Sequence, residues 1–371
     1  MTDVRRPLVL AAALFLAITA TASAAATGGT GPSPTQQGPA LPPLTTRQLV
    51  GQHMVFSYAG ATPPGALERR IRAGEAAGVI LFARNIASRA RLRATIARLQ
   101  ALPRPAGLRA PLLVMIDQEG GFVKRLSGAP SRSPAAIGRT GSVAIARGEG
   151  AATARNLRGV GINVNLAPVL DVARPGSFQE RLERSYSRDP AKVAALGAAF
   201  AAALQAGGVA ATAKHFPGIG VPRVDEDTVA SRIGLSQATL RRIDEVPFAA
   251  ASRARIDLVM LSTAIYPAFD RLPALFSRRL ATDELRGRLG FTGVSITDDL
   301  ETAAASRYGS AATQARMSTR AGADLLLFAQ SYAGGVRAEE GLIGDARAGR
   351  VSVAELRTSA ARVLALRAAL P

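Results

Sequence analysis

Short apolar runs alternate with amphipathic stretches along the chain from Leu49 onward. Each run is continuous and rich in aliphatic and β-branched residues, which is typical of parallel strands buried on both faces. The stretches between them, such as 88–99 and 190–206, have the spacing of apolar residues expected of helices. Eight runs are predicted to be strands: 50–59, 78–83, 111–116, 162–170, 209–213, 258–262, 293–296 and 323–328.

Eight alternations of strand and helix predict an α/β fold, a (β/α)₈ TIM-type barrel that forms a single catalytic domain over residues 45–371. The alternative is a doubly wound sheet, which needs a glycine-rich phosphate-binding turn after its first strand. Residues 58–63 read YAGATP and contain no such turn. The barrel is therefore the favoured interpretation.

The first 24 residues have the features of a secretory signal peptide. Arg5 and Arg6 precede an apolar run over 8–18, and an Ala-x-Ala site ends at Ala24. The run is shorter than the roughly 20 residues of a transmembrane helix, so stable membrane insertion is not expected after cleavage. Residues 25–44 are predicted to be a flexible linker. We expect a secreted or extracytoplasmic protein; an uncleaved anchor and the choice of export route stay open.

The rarest residue types limit the chemistry of the chain. Its 371 residues contain no cysteine and only two histidines, which excludes disulfides, a cysteine nucleophile and a multi-histidine metal centre. No metal or organic cofactor is expected.

The net charge of +19 comes almost entirely from arginine, because only three of the 46 basic residues are lysines. One interpretation is a coding bias toward arginine, and the other is a surface that binds a polyanion. The arginines are spread along the chain and few aromatic residues lie among them, which favours the first. No nucleic-acid partner is predicted, whereas association with an anionic cell wall remains a hypothesis.

Charged side chains follow the predicted strands at the end where barrel enzymes carry their active sites. Several carboxylates with one Lys-His pair suit glycoside hydrolysis, which needs a carboxylate nucleophile and a second group as general acid. Asp298 directly follows a buried strand and is the candidate nucleophile; Asp299 is either a supporting carboxylate or a helix N-cap. The residues at the strand ends are Asp117, Glu119, Asp171, Lys214, His215, Asp298 and Asp299.

Six motifs in order resemble those of glycoside hydrolase family 3, in particular its single-domain bacterial β-N-acetylhexosaminidases that trim peptidoglycan fragments. The resemblance extends from residue 45 to about 366. It implies a (β/α)₈ barrel, a retaining mechanism and a carbohydrate substrate with terminal N-acetylglucosamine, or glucose as the alternative. The motifs are GVILF at 78–82, DQEGG at 117–121, NLAPVLDV at 165–172, RSYS at 184–187, KHFPG at 214–218 and TDDL at 297–300.

The resemblance also implies roles for single residues. Asp298 corresponds to the family's nucleophile. The sugar-binding residues carried over are Asp117, Arg125, Arg184, Lys214 and His215. Their carboxylate and cationic groups make charge-assisted hydrogen bonds to sugar hydroxyls. An ion pair that only braces the barrel rim is the alternative for Lys214 and His215.

The chain departs from the hexosaminidase pattern in the loop after strand five. The subgroup continues KHFPGHG and then has Asp-Ser-His, whose histidine is the general acid/base. Here Ile219 replaces the first loop histidine, and the later motif reads Asp225, Glu226, Asp227. Three interpretations stay open: Asp227 or Glu226 is the acid, with Asp225 helping to raise its pKa; activity is impaired; or the chain is a sugar-binding pseudo-enzyme.

Other features leave further alternatives. Phe122 stands where the family usually has arginine, and His53 is predicted to be a packing residue. A Schiff-base lyase on the same fold would use Lys214 as its nucleophile. A secreted polyanion-binding protein would explain the charge but not the residues at the strand ends.

Overall fold

Within residues 41–225 and 228–371, which the computed structural model describes, eight short strands form one parallel sheet. They are β1 (Met54–Phe56), β2 (Gly78–Leu81), β3 (Leu113–Ile116), β4 (Val164–Asn165), β5 (Ala210–Phe216), β6 (Leu258–Leu261), β7 (Val294–Thr297) and β8 (Leu326–Phe328). Each strand pairs with the next along the chain, and β8 pairs with β1. Backbone hydrogen bonds join Leu325 to Ser295 and Thr297, so β7 and β8 close the sheet into the predicted (β/α)₈ barrel.

Helices lie between successive strands and cover the outside of the barrel. The predicted helices at 88–99 and 190–206 are found as α3 and α7; Ser88 and Asp189 accept hydrogen bonds from their first turns as N-caps. No helix in the described part of the chain is long and apolar enough to cross a membrane. The α-helices are α1 (Thr46–Gly51), α2 (Gly65–Ala73), α3 (Arg89–Ala101), α4 (Pro134–Thr140), α5 (Val143–Arg158), α6 (Phe178–Arg181), α7 (Pro190–Ala206), α8 (Gln237–Thr239), α9 (Val246–Arg253), α10 (Ala303–Ser306), α11 (Ala311–Ala321), α12 (Tyr332–Arg347) and α13 (Val353–Ala369).

Shorter elements complete the fold. An antiparallel hairpin of Gln118–Gly120 and Val123–Lys124 follows β3 directly. The 3₁₀-helices are Ala83–Asn85, Ala106–Leu108 and Ala274–Phe276, and the π-helices are Leu240–Asp244 and Arg279–Arg288.

Strand residues alternate between two apolar cores. Inward side chains such as Val55, Met115 and Ile296 fill the barrel, whereas neighbours such as Phe56 and Ile116 pack outward against the helices. Both faces of every strand are therefore buried, which explains why the runs are continuously apolar in the sequence. A strand residue two positions after an inward one must also point inward.

Two predicted strands differ from the observed ones. The run at 162–170 pairs as a strand only at Val164–Asn165, and Val169 pairs again with Lys214 after an irregular segment. The run at 50–59 begins within α1, so only Met54–Phe56 is a strand. Apolar continuity alone does not reveal where backbone pairing is interrupted.

The predicted N-terminal segments are only partly covered by the structure. The signal peptide at 1–24 and the linker as far as residue 40 lie outside the described residues. Leu41 and Leu44, at the end of the predicted linker, are partly buried against the outer core. These two positions are part of the packed barrel rather than of a free linker.

Asp324 connects the last two strands and the last helix at the amino end of the barrel. This buried carboxylate accepts hydrogen bonds from the Ser295 backbone and from Ser359, Arg286 and Arg362. Burial by itself would raise the pKa of Asp324, but the two guanidinium groups hold it below its ordinary value. His53 is buried beside it, as predicted, with Nδ1 2.8 Å from the Asp324 backbone oxygen.

Replacement of Asp324 by asparagine should destabilise the barrel strongly. Asp324→Asn leaves Arg286 and Arg362 partly buried without a counter-charge, which costs about 3 kcal/mol of unfolding free energy. Urea unfolding at pH 7 measures the loss. Glu355→Gln is the matched control, because Glu355 and Arg278 form an ion pair in which both side chains are more than half exposed. That control should cost less than about 1 kcal/mol, and an equal loss in both variants would contradict the central role of Asp324.

Candidate active site

A cavity of about 370 Å³ opens at the carboxyl ends of the strands. Its apolar floor is the top of the inner core, formed by Ile80, Leu166, Met260 and Leu327. Every predicted site residue in the described part of the chain lines it. The charged and amide side chains in its wall are Arg84, Asp117, Glu119, Arg125, Gln179, Arg184, Lys214, His215, Asp225, Asp298, Asp299 and Gln330.

The alternation of the strands brings the predicted residues into this cavity. Asp117 lies two positions beyond the inward Met115, and Asp298 lies two positions beyond the inward Ile296. Lys214 is at an inward position near the end of β5. Acidic and basic side chains thus replace apolar ones where the barrel interior meets the cavity, and rigid strands hold them.

Glu119, which the sequence places at a strand end without a role, joins two cations of the cavity. Arg184 donates to both of its carboxylate oxygens, with Nε 2.9 Å from Oε2 and Nη2 2.8 Å from Oε1. Lys214 Nζ lies 2.7 Å from Glu119 Oε1 and 2.7 Å from Asp117 Oδ1. The signal was present in the sequence, since Glu119 is in the same motif as Asp117, but its partners are distant in the chain.

These contacts favour the charged forms of Glu119 and Lys214. Burial alone would raise the pKa of Glu119, but Arg184 and Lys214 hold it well below its usual range. Burial alone would lower the pKa of Lys214, but Asp117 and Glu119 raise it above its ordinary value. A lysine nucleophile needs the neutral amine, so this environment argues against the Schiff-base lyase alternative.

His215 is held by Asp171 at the side of the cavity. Its Nδ1 lies 2.7 Å from Asp171 Oδ2, and its backbone N–H donates to Asp171 Oδ1. The Lys214–His215 peptide bond is cis. Asp171 accepts a hydrogen bond from Nδ1. The other ring nitrogen, Nε2, therefore faces the cavity and lies 3.5 Å from Arg184 Nη2.

The two adjacent aspartates at the end of β7 have different surroundings. Asp298 lines the cavity, and its Oδ1 accepts one hydrogen bond from the Asp299 backbone N–H at 2.9 Å. Asp299 instead accepts from the backbone N–H groups of Glu301 and Ala329 and from Gln330 Nε2, each at 3.0 Å. Burial raises the pKa of Asp299 to about 6. Asp299 therefore connects the loops after β7 and β8 through hydrogen bonds, as expected of a supporting carboxylate.

Arg125 and an unpredicted arginine, Arg84, stand beside an aromatic ring at the cavity. The Arg84 guanidinium carbon lies 4.5 Å from the centroid of Phe82, and that of Arg125 lies 6.0 Å from it. Arg125 Nε is buried without a hydrogen-bond partner among the described residues. Phe122, by contrast, is 71% exposed and is absent from the cavity lining formed by described residues, so its departure from the family pattern lies outside the cavity.

Gln179 on α6 is a further residue that the sequence analysis missed. Its side chain is buried in the cavity wall, and its Oε1 has no hydrogen-bond partner among the described residues. No sequence motif marks this position, because α6 is a four-residue helix in a long connection. In the described part of the chain, no group of three or more acidic or histidine side chains is arranged to hold a metal ion.

The loop after β5 reaches the cavity at two points. Ile219 is buried, and its backbone N–H donates to Asp171 at 2.9 Å. Gly220 lets the loop pass against the neighbouring backbone, because a Cβ there would lie 1.8 Å from the Val172 oxygen. Asp225 lines the cavity. Residues 226 and 227, including the candidate acid Asp227, lie outside the described residues.

Comparisons with known proteins agree with this geometry. The model of the glycosyl hydrolase family 3 N-terminal domain matches residues 48–366. A protein named as an uncharacterized secreted glycosyl hydrolase, from Arthroderma benhamiae, is 38% identical over 86% of this chain and 92% of its own length. A β-hexosaminidase of Pseudomonas aeruginosa is 38% identical over 72% of this chain and 79% of its own.

A solved structure supports the same relationship. The family 3 β-N-acetylglucosaminidase from Paenibacillus sp. superposes with a TM-score of 0.84 at 34% identity and covers 88% of this chain. The chain spans 63% of the length of that protein.

Neutralising Glu119 should weaken both the fold and the cavity. Glu119→Gln removes the carboxylate that Arg184 and Lys214 share, so we expect a loss of about 3 kcal/mol in unfolding free energy. Chemical denaturation measures it. Glu340→Gln removes one carboxylate from a more exposed ion pair with Arg47 and should cost less than about 1 kcal/mol. Similar losses of unfolding free energy in the two variants would contradict a larger stabilising role for the buried ion pairs of Glu119.

The raised pKa of Asp299 predicts a pH-dependent contribution to stability. The folded pKa of about 6 exceeds the ordinary value of 3.8, so the folded state holds the proton more tightly than the unfolded state. That contribution is complete below about pH 4 and is lost as pH rises through 6. Urea unfolding of wild type and Asp299→Asn at pH 4 and pH 7 measures this contribution. The unfolding free energy of the variant minus that of wild type should be about 2 kcal/mol larger at pH 7 than at pH 4. A difference that does not change with pH would contradict the assignment.

Proposed function

The chain belongs to glycosyl hydrolase family 3 and is a glycosidase, and on that premise we propose that it removes terminal, non-reducing β-N-acetylglucosamine residues with Asp298 as nucleophile. The observation that carries the proposal is the position of the Asp298 carboxylate, which faces the same cavity as Lys214, Arg184 and Asp117. A nucleophile and a set of charged sugar-binding groups thus share one pocket. Its 370 Å³ is near the lower end of the range for small-molecule sites, which suits one terminal sugar.

The reaction proceeds in two displacements at the anomeric carbon. First, an Asp298 oxygen forms a bond to that carbon while the bond to the leaving oxygen breaks, and a general acid protonates the departing oxygen. Next, the residue that protonated the leaving oxygen acts as a base and takes a proton from water. The water oxygen then bonds to the anomeric carbon and releases Asp298, so the configuration is retained.

Five residues are proposed to bind the sugar: Asp117, Arg125, Arg184, Lys214 and His215. Lys214 and Arg184 are already held by carboxylates, so they keep their positions before the sugar arrives. Asp171 orients the His215 ring in the same way. A sugar hydroxyl therefore meets donors and acceptors that are already oriented, which lowers the cost of binding.

Asp227 is proposed as the general acid/base, with Asp225 beside it. The support is that Asp225 lines the cavity and that Asp227 is two positions further along the chain. A carboxylic acid needs a raised pKa for this task, and neighbouring carboxylates are one means of raising it. The missing loop histidine also favours a second candidate, a sugar-binding protein with impaired catalysis.

The choice of N-acetylglucosamine over glucose is supported by the names of the similar proteins, a β-hexosaminidase and a β-N-acetylglucosaminidase. A β-glucosidase-type exo-hydrolase is the alternative. Glycans of the peptidoglycan type are proposed as natural substrates. Export through the signal at residues 1–24 is supported by their sequence and by the secreted relative from Arthroderma.

Hydrolysis of aryl glycosides tests the roles of both carboxylates. Wild type should release the aryl alcohol from an aryl N-acetyl-β-glucosaminide faster than from the parent glucoside. Asp298→Ala should lower kcat by about 10⁴-fold or more, because no nucleophile remains. Asp227→Ala should slow substrates with poor leaving groups by about 10²- to 10⁴-fold, and azide should restore its turnover of activated substrates.

The control is Asp283→Ala, which removes an exposed aspartate outside the cavity lining and should leave kcat unchanged. No release of aryl alcohol by wild type from either substrate would refute the enzyme proposal and favour the binding protein. Faster turnover of the glucoside would favour the β-glucosidase alternative. Full activity of Asp227→Ala on a poor leaving group would place the acid elsewhere.

A further inference from the structure

A second cavity, also of about 370 Å³, lies at the opposite end of the barrel. It is bounded by Pro111 and Asn163, which precede β3 and β4, so it opens at the amino ends of these strands. Part of its wall is apolar, formed by Ile96 and Val160. We call it the arginine groove, after the four arginines that line it: Arg93, Arg104, Arg109 and Arg158.

No aspartate or glutamate side chain compensates the charge of the arginine groove. None is among the described residues that line it, and none of its four arginines pairs with such a side chain within the described part of the chain. Arg104 Nη2 donates to the backbone oxygen of Arg109, and Arg158 Nη1 donates to an oxygen of Pro371, the last residue of the sequence. Arg104 Nε and Nη1 are buried without any hydrogen-bond partner among the described residues.

A fifth arginine behind the groove adds to the positive charge. Arg367 is buried, and its donors meet only neutral oxygens, including those of Pro111 at 2.9 Å and Ala110 at 2.7 Å. Burial lowers the pKa of Arg367 to about 9, and the charge of Arg104 lowers it as well. Elsewhere in the fold, buried cations such as Lys214 have carboxylate partners. The missing counter-charge here therefore distinguishes this groove.

The sequence explains how the groove becomes so basic. No aspartate or glutamate occurs between Ala76 and Ile116, a segment that supplies Arg93, Arg104 and Arg109. Folding then brings Arg158 from the end of α5 to the same place. Arginines that are spread along the sequence are thus gathered in this part of the surface.

We propose that the arginine groove is a binding site for phosphate groups of a phosphate ester. The guanidinium fork matches phosphate oxygens in a bidentate way, and Arg93, Arg109 and Arg158 line the groove with exposed side chains that carry such forks. A phosphate group carries more negative charge than a carboxylate and so compensates more of the cluster. The apolar wall around Ile96 and Val160 suits the carbon part of the ester.

The position of the groove separates this binding from the hydrolytic site. The groove lies at the amino ends of the strands and the sugar cavity at the carboxyl ends. A bound phosphate ester therefore leaves the sugar cavity open, and a phosphodiester polymer could hold the protein while it acts on a sugar.

The test measures thermal unfolding and calorimetric binding of the full chain with sodium pyrophosphate, against sodium chloride at equal ionic strength. Pyrophosphate at about 100 times Kd should raise the Tm of wild type by about 4 °C, because it binds only the folded state. In Arg104→Gln/Arg158→Gln the Kd should weaken at least tenfold, so the Tm shift at the same pyrophosphate concentration should fall to about half or less. Without ligand, loss of the Arg104 charge should not lower the Tm of this variant, because Arg104 repels Arg367.

The matched control is Arg253→Gln/Arg337→Gln, which removes two exposed arginines outside both cavities and without ion pairs in the described chain. It should keep the full response to pyrophosphate. Equal responses of the groove variant and wild type, or an equal loss in the control, would overturn the proposal. Should the first variant not fold, Arg93→Gln/Arg109→Gln tests the same groove through two exposed side chains.

A polyphosphate of about twenty units distinguishes the two sources of such a phosphate. Binding that strengthens at least tenfold over pyrophosphate, and is lost in the groove variant, assigns the groove to a polymer. Equal affinity for both assigns it to a small phosphorylated molecule. Hydrolysis of the aryl glycoside should be unchanged in the groove variants, so failure of this site and failure of the proposed glycosidase activity are separately visible.

Discussion

The Glu119 carboxylate is the group on which the sugar cavity depends. It binds Arg184 with both oxygens and Lys214 with one of them, and these three residues come from separate segments of the chain. A buried cation is costly unless a counter-charge and hydrogen bonds compensate it. Glu119 therefore decides where Arg184 and Lys214 stand, and Lys214 in turn holds Asp117. The cavity has its charges in place before any sugar binds, which is the condition for electrostatic catalysis.

The barrel and much of this cavity could be predicted because one constraint links strand and site. A strand has a period of two, so a polar residue two positions after an inward apolar one enters the cavity. Asp117 and Asp298 follow this rule directly. The motifs that carry the family resemblance lie mostly at these strand ends, which is why the sequence alone indicated both the fold and the residues.

Features that depend on contacts between distant segments were not predictable in this way. Glu119 and Arg184 are 65 positions apart, and only the folded chain brings them together. Gln179 has no motif, and the interruption after Asn165 has no signature in apolar continuity. The arginine groove is the same kind of case, because arginines that are spaced along the sequence gather where α3, α5 and the loop before β3 meet.

The two histidines limit what the general acid can be. His53 lies at the amino end of the barrel, where burial lowers its pKa, and His215 is bound to Asp171 and faces Arg184. On the proposed mechanism a carboxyl group provides the proton, and cations beside such a group would lower its pKa. A carboxylate nucleophile and a carboxylic acid therefore need different environments. The proposed acid belongs to the acidic segment 225–227, whose first residue, Asp225, lines the cavity.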